Sequence, residues 1–150
     1  MQILKFPAIG TFPSAPFLDM RCLSSGVPKQ TTEKRTLEMR GEEVHYAGKT
    51  TRGGDISLNF IDSVDNIVKS FFTQWQAAVY NQGTGAGNFK SEYEGTILLT
   101  QLDNKDVPIW SYKMVGVFCL SAEVPDMAQT PGNIELNVTF SYDDFESNGL

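Results

Sequence analysis

The chain has one histidine, two cysteines and no apolar run of about 18 residues, the length a membrane-crossing helix needs. Each shortage removes a class of function. His45 is the only imidazole, and it stands in a polar stretch without an acid or thiol partner beside it, so a nucleophile–base pair has nowhere obvious to form. Cys22 and Cys119 have no second Cys or His at metal-ligand spacing. They read as buried reduced thiols, with a disulfide as the alternative. The start, "MQILKFPAIG", carries one Lys and meets Pro7 before any apolar stretch develops, which is no signal peptide. Basic residues are also scarce, with 12 Lys and Arg against 18 Asp and Glu and a net charge of −6. A protein that grips nucleic acid by itself needs cations to displace counterions, so this balance argues against one.

What is present describes a globular chain. The 150 residues are 41% hydrophobic and 20% charged, enough for one domain over 1–150 with a real core. No repeat, linker or low-complexity tract interrupts it. The apolar positions Val64, Ile67, Val68, Phe71, Phe72, Trp75, Ala78 and Val79 fall at helical spacing. Asp62 or Ser63 is placed to cap that helix, Asp65 adds negative charge to its first turn, and Asn81 with Gly83 ends it.

The stretch "NQGTGAGNF" that follows tests for a phosphate cradle. Such a loop needs a strand before it and a helix after it. Here a helix precedes and the alternating "FKSEYEGTILLTQL" follows, so the glycines read as a helix-to-strand connection.

The remainder reads as β-structure. "DISLNFI" alternates with Ile56, Leu58 and Phe60 on one face, and "YEGTILLTQL" joins "IWSYKMVGVF" through the polar turn "DNKDVP". "NIELNVTFSYDD" puts Ile134, Leu136, Val138, Phe140 and Tyr142 on a dry face and Glu135, Asn137, Thr139 and Ser141 on a wet one. Its sequon, Asn137-Val138-Thr139, reads as accidental inside a strand. Upstream, "QILKFPAIG" and "FLDMRCL" are shorter strands around "TFPSAP". "TTEKRTLEMRGEEV" is extended in propensity, yet neither alternating face is properly apolar, and a strand with no dry face makes sense where another subunit completes its surroundings. From Glu42 to Gly54 the chain reads as a long polar connection. The sum is an α+β fold, a mainly antiparallel β-sandwich or barrel with one amphipathic helix. The carboxylate pairs Glu42-Glu43, Asp103/Asp106 and Asp143-Asp144 lie at turns and chain ends, where solvated charge is expected, and form no catalytic constellation.

In order along the chain, these segments resemble the tail tube proteins of contractile-tailed bacteriophages and related contractile injection systems. "CLSSGVPKQTTEKRTLEMRGEEVHYAGKTTRGGDISLNFID" resembles that family's small-residue-Pro turn, long charged segment, aromatic-and-Gly loop and alternating strand. "VDNIVKSFFTQWQAAVYN" resembles its single helix, and the stretch from Tyr93 to Glu146 its closing hairpin and final strand. Two departures stand out. Cys119 occupies a position where the family usually has Pro, and "QILKFPAIG" reads as falling inside the family's first strand, without the usual leading segment ahead of it.

The resemblance implies a non-enzymatic structural subunit with no cofactor and no metal. Six copies would close a ring whose strands join into one continuous β-barrel, and rings would stack into a hollow conduit for DNA inside a sheath. Partners would be further copies, the sheath protein, baseplate and tail terminator proteins, and DNA in transient, non-specific passage; the place would be the virion tail tube, assembled in the host cytoplasm. The charged segment Thr31 to Val44 would then mature as a strand on assembly. The polar connection Glu42 to Gly54 would supply ring-stacking contacts through Glu42, Glu43, His45, Tyr46, Lys49 and Arg52, with Lys49 and Arg52 meeting acids such as Asp126 or Asp143 of a neighbour. The wet residues Glu94, Thr96, Thr100, Glu135, Asn137, Thr139 and Ser141 become the channel lining. A baseplate tube-initiator ring or an injection-system inner tube is the alternative within the family. A small β-barrel holding an apolar ligand, or an acid-and-metal enzyme, is the alternative outside it. The ligand barrel predicts a stable monomer, and the enzyme predicts acids clustered at strand ends.

Overall fold

The computed structural model describes residues 2–8, 18, 21–63, 65–81, 83–123 and 134–149. Within them the chain forms eleven strands: β1 (Gln2–Lys5), β2 (Cys22–Ser25), β3 (Thr31–Met39), β4 (Glu42–Thr51), β5 (Gly54–Asp62), β6 (Tyr80–Asn81), β7 (Ala86–Gly87), β8 (Gly95–Leu102), β9 (Pro108–Glu123), β10 (Ile134–Tyr142) and β11 (Asp144–Gly149). The helices are α1 (Ile67–Val79) and the single turn α2 (Lys90–Tyr93). Seven strands make one antiparallel sheet in the order β1-β8-β9-β10-β5-β2, with β11 also on β9, while β3 with β4 and β6 with β7 form separate two-stranded sheets. The expected barrel is therefore corrected to an open sheet among the described residues, and the single helix to two.

The sheet follows from alternation. In β5 the residues Ile56, Leu58 and Phe60 are buried, and in β10 Leu136, Val138, Phe140 and Tyr142 are. The register aligns Val138 with Leu58 and Phe140 with Ile56, so the dry faces coincide. Helix α1 covers that face with Val68, Phe71, Phe72, Trp75 and Ala78. Its aromatic rings interlock with the sheet, Phe72 lying 5.0 Å from Phe60 and 5.5 Å from Phe140, and Trp75 lying 5.6 Å from Phe140. The indole N–H of Trp75 donates to the Tyr93 carbonyl at 3.0 Å, so its one polar atom is satisfied in the core.

β9 is the spine. Its first half pairs with β8 on one edge and β11 on the other, and its second half pairs with β10. Between the halves sits Gly116 at φ +66, a left-handed backbone that a Cβ would strain, and that Cβ would also collide with the Asp143 carboxylate. Asp143 is the bend residue between β10 and β11. Cys119 lies buried within β9 opposite Phe140, beside the register shift between Thr139 and Phe140, so it sits next to a β-bulge and not in a turn.

The edges of α1 differ from the expected ones. The helix starts at Ile67, with Asn66 as N-cap in the left-handed region at φ 51, and Asp65 precedes it. Val64, placed in the stripe, lies outside the described residues, as do "TFPSAP" and much of the segment before Cys22. Asp62 still serves this terminus. It is the one buried charged side chain among the described residues, and its carboxylate accepts the backbone N–H groups of Val68 at 3.2 Å and Lys69 at 3.0 Å. Arg21 stands 3.7 Å from the same carboxylate. At the other end Tyr80 is the C-cap, and the left-handed glycine is Gly85, at φ +71, not Gly83.

The glycine stretch is thus the turn of the β6–β7 hairpin, with Asn81 Oδ1 accepting the Gly83 N–H at 2.9 Å. α2 does follow it, so the connection is more structured than a bare loop. Lys90, at its start, is ion-paired with Asp143.

Candidate assembly surfaces

A helix packed on one sheet face leaves two surfaces uncovered: the other sheet face and the β3–β4 hairpin. The hairpin is the larger departure from the sequence reading. β3 pairs with β4 over Thr31↔Thr51 to Met39↔Glu42, so the stretch from Glu42 that reads as a polar connection is a ten-residue strand. Arg40 and Gly41, at φ 55 and 82, join the strands in a two-residue turn with both central residues left-handed, the type that matches strand twist. Every residue of β3 is exposed, and in β4 only Val44 and Gly48 are partly covered.

Pairing also sorts side chains that the single strands leave mixed. Leu37 faces Val44 and Arg35 faces Tyr46 across the ladder, while Thr36 faces His45 and Glu38 faces Glu43 on the alternate positions. One face of the hairpin therefore gathers Leu37, Met39, Val44 and Tyr46, with Leu37, Met39 and Tyr46 between 50% and 60% exposed. The other face carries two like charges directly opposite each other, Glu38 and Glu43, an arrangement that costs stability in isolation. Hydroxyl contacts offset part of this: Thr32 and Thr50 lie 3.0 Å apart, and Thr36 Oγ1 lies 3.3 Å from His45 Nδ1.

Of the six residues expected in ring contacts, Glu42, Glu43, His45, Tyr46 and Lys49 are exposed on β4. Arg52 is placed differently. It follows β4, and its Nε lies 3.0 Å from Asp144 Oδ1 while its Nη2 donates to the Phe145 carbonyl of the same chain. Asp143, the acid expected to meet a neighbour's Lys49 or Arg52, is held by Lys90 of its own chain. Asp126 lies outside the described residues.

The uncovered sheet face holds the expected wet residues. Thr139 pairs with Ser57, Asn137 with Asn59 and Ser141 with Asp55, and Ser57 Oγ lies 3.3 Å from Thr139 Oγ1. On β8, Thr96 and Thr100 alternate with the buried Ile97 and Leu99, placing them on the same side of the sheet. Glu94, just before β8, pairs with Lys5 at 2.9 Å, and Lys113 on β9 faces Glu146 at 3.7 Å. Asp55, Glu123 and Glu135 have no basic partner among the described residues, so the face is rich in hydroxyls and amides with an acidic excess. Among the described residues no group of three or more His, Cys, Asp and Glu is placed to hold a metal ion, and no helix is long and apolar enough to cross a membrane.

A family model described as phage tail tube protein matches residues 7–148. The fold is similar to a chain of the anti-feeding prophage cap, which terminates a tube, with a TM-score of 0.67 and 11% identity over 86% of this chain and 80% of that one. It is also similar to a chain of the extended sheath–tube complex of PVC, an extracellular contractile injection system, at TM-score 0.64 and 11% identity, covering 85% and 80%. The sheath/tube terminator of that system gives TM-score 0.66 and 10% identity, covering 85% and 84%. No curated protein matches.

Proposed function

This chain belongs to the phage tail tube protein family and is a tail tube subunit; from that premise we propose that six copies close a ring, that rings stack into a hollow tube within a sheath, and that the tube passes DNA without chemistry of its own. The observation that carries the assembly step is the β3–β4 hairpin: two long paired strands with no buried side chain. A two-stranded hairpin is marginal in water unless something covers it. A neighbouring copy supplies that cover, and joining strands between copies also consumes the open edges of β1 and β2. Glu42, Glu43, His45, Tyr46 and Lys49 are then contact residues between copies.

The uncovered sheet face, with Thr96, Thr100, Glu135, Asn137, Thr139, Ser141 and nearby Glu94, is the channel lining in this reading. Its acidic excess repels a polyanion, so DNA slides and does not adhere. The same logic places the subunit in a virion or injection particle, with sheath, baseplate and terminator proteins as partners. Chains of similar fold occur in a sheath–tube complex, a sheath/tube terminator and a baseplate.

Negative-stain electron microscopy over a concentration series, with sedimentation on the same samples, tests the proposal. Hollow tubes of uniform width are the expected result. Single rings that never stack would move the subunit to a tube end, and a monomer at every concentration, with baseplate seeds present, would refute ring formation.

A further inference from the structure

The hairpin leaves the sheet through two connectors. On the entry side, Gly26 donates its N–H to the Ser57 carbonyl at 2.9 Å and Pro28 is buried, with exposed residues leading into Thr31. On the exit side only Arg52 and Gly53 separate Thr51 from β5. Since β3 and β4 bury no side chain of their own, these connectors set the direction in which the hairpin points.

Arg52 is unusually well held for a connector residue. Its Nε meets Asp144 Oδ1 at 3.0 Å, its Nη2 donates to the Phe145 carbonyl, and its guanidinium lies over the Phe145 ring, 5.4 Å from the centroid. One planar group is thereby fixed by an acid, a carbonyl and a ring on two consecutive residues. Gly53 is pressed against the same bend, where a Cβ would stand 2.6 Å from the Asp143 carbonyl oxygen and 2.9 Å from that of Tyr142. The adjoining carboxylate, Asp143, is occupied by Lys90, so the two acids of the bend are sorted, one to each cation.

We propose that Arg52 is a positioning residue: by clamping the hairpin's base to the β10–β11 bend, it holds the hairpin in the free subunit at the angle at which the next copy receives it. The inference rests on the reading of the hairpin as the contact between copies. The angle matters because the hairpin is long. Ten residues of β4 at about 3.3 Å each make an arm of about 30 Å. A swing of about 10° moves the tip by about 5 Å, more than the roughly 4 Å range of a side-chain contact. A clamp at the base therefore preorganises contacts it does not make. Both partners are about half exposed, at 44% and 50%, and an ion pair so exposed adds little to folding. Its effect falls on direction and not on stability.

The test uses spin labels on Glu38→Cys and Ser70→Cys in a Cys22→Ser background, reading the distance from hairpin to α1 in dilute monomer. Assembly of the unlabelled chain is followed in parallel. Arg52→Glu should at least double the width of the distance distribution and raise the concentration needed for rings about tenfold, with little change in melting temperature. Asp144→Arg should do the same, and the swapped pair Arg52→Glu/Asp144→Arg should restore both readouts to within about twofold. An unchanged distribution in Arg52→Glu would overturn the proposal. Lost assembly with that unchanged distribution would return Arg52 to a contact between copies, and a swapped pair that restores neither readout would also overturn the clamp. If the distances respond as expected but the unaltered chain never assembles, the clamp stands and the reading of the hairpin as a contact falls.

Discussion

The helix-covered sheet and the β3–β4 hairpin are both antiparallel β-structure, yet they are held by different means. In the sheet, alternation produces a dry face and α1 seals it, with Trp75, Phe72, Phe60 and Phe140 fully buried. In the hairpin, the backbone is paired from Thr31↔Thr51 to Met39↔Glu42 with one register shift between Thr32 and Lys34, but nothing seals either face. Strand pairing alone is not a source of independent stability; a covered face is. The sheet meets that need within the chain, whereas the hairpin leaves Leu37, Met39, Val44 and Tyr46 to be met from outside.

The strongest way to break the comparison is to open the sealed side. Trp75 is fully buried, rests on Phe140 and Phe71, and donates to the Tyr93 carbonyl. Trp75→Ala removes the ring, leaves a cavity and orphans that carbonyl, at a cost of about 3–5 kcal/mol. A whole domain holds only about 5–15 kcal/mol, so this variant should lose a large share of its stability in urea titration. A loss under about 1 kcal/mol would mean that α1 is not what seals the sheet.

A smaller effect sharpens the same contrast through pH. Burial pushes the Cys119 thiol from its ordinary 9.0 up to about 12. The folded form therefore keeps its proton where the unfolded chain has lost it. Stability tied to this group is full below pH 9 and declines as pH rises from about 9 towards 12, by about 1.4 kcal/mol per pH unit. Cys119→Ala lowers stability at every pH through the lost packing but removes this share of the slope. Urea titrations of both chains at pH 9, 10 and 11 read the difference; parallel slopes would show that Cys119 is not sealed from water.

The same division explains what was legible in the sequence. β5, β8, the start of β9, β10 and the body of α1 announce themselves because their patterns are burial patterns: Ile56, Leu58 and Phe60 alternate because each enters the core. β4 buries no side chain, so hydrophobic periodicity carries no signal of it. Arg40-Gly41 between two β-prone runs was the signal available, a weaker form of the Asn-Gly hairpin turn. β11 and α2 are short, with six and four residues; β11 is held by its pairing with β9, and α2 is a single turn capped by Glu92, whose carboxylate accepts the Phe89 N–H. The candidate contacts on β4 were visible as an unexplained polar stretch. The anchoring of Arg52 was not, because its carbonyl partner lies 93 residues further along the chain.

The smallest expected effect on folding falls on the hairpin, and it is the one that separates the two regions most cleanly. Leu37 and Tyr46 are 55% and 50% exposed and sit on the same face of the ladder. Leu37→Ser with Tyr46→Ser removes apolar area that water already touches, so the free subunit should keep its stability to within about 0.5 kcal/mol. In the proposed assembly a neighbouring copy covers the same area, and each side chain is then worth about 1.5–3 kcal/mol when fully buried. The double variant should therefore melt like the unaltered chain and fail to form rings at concentrations where that chain does. Sedimentation beside thermal denaturation checks both halves. Rings at unchanged concentration would show that this apolar face stays in water, and an equal fall in melting temperature would show that the hairpin's faces already belong to the subunit's own core.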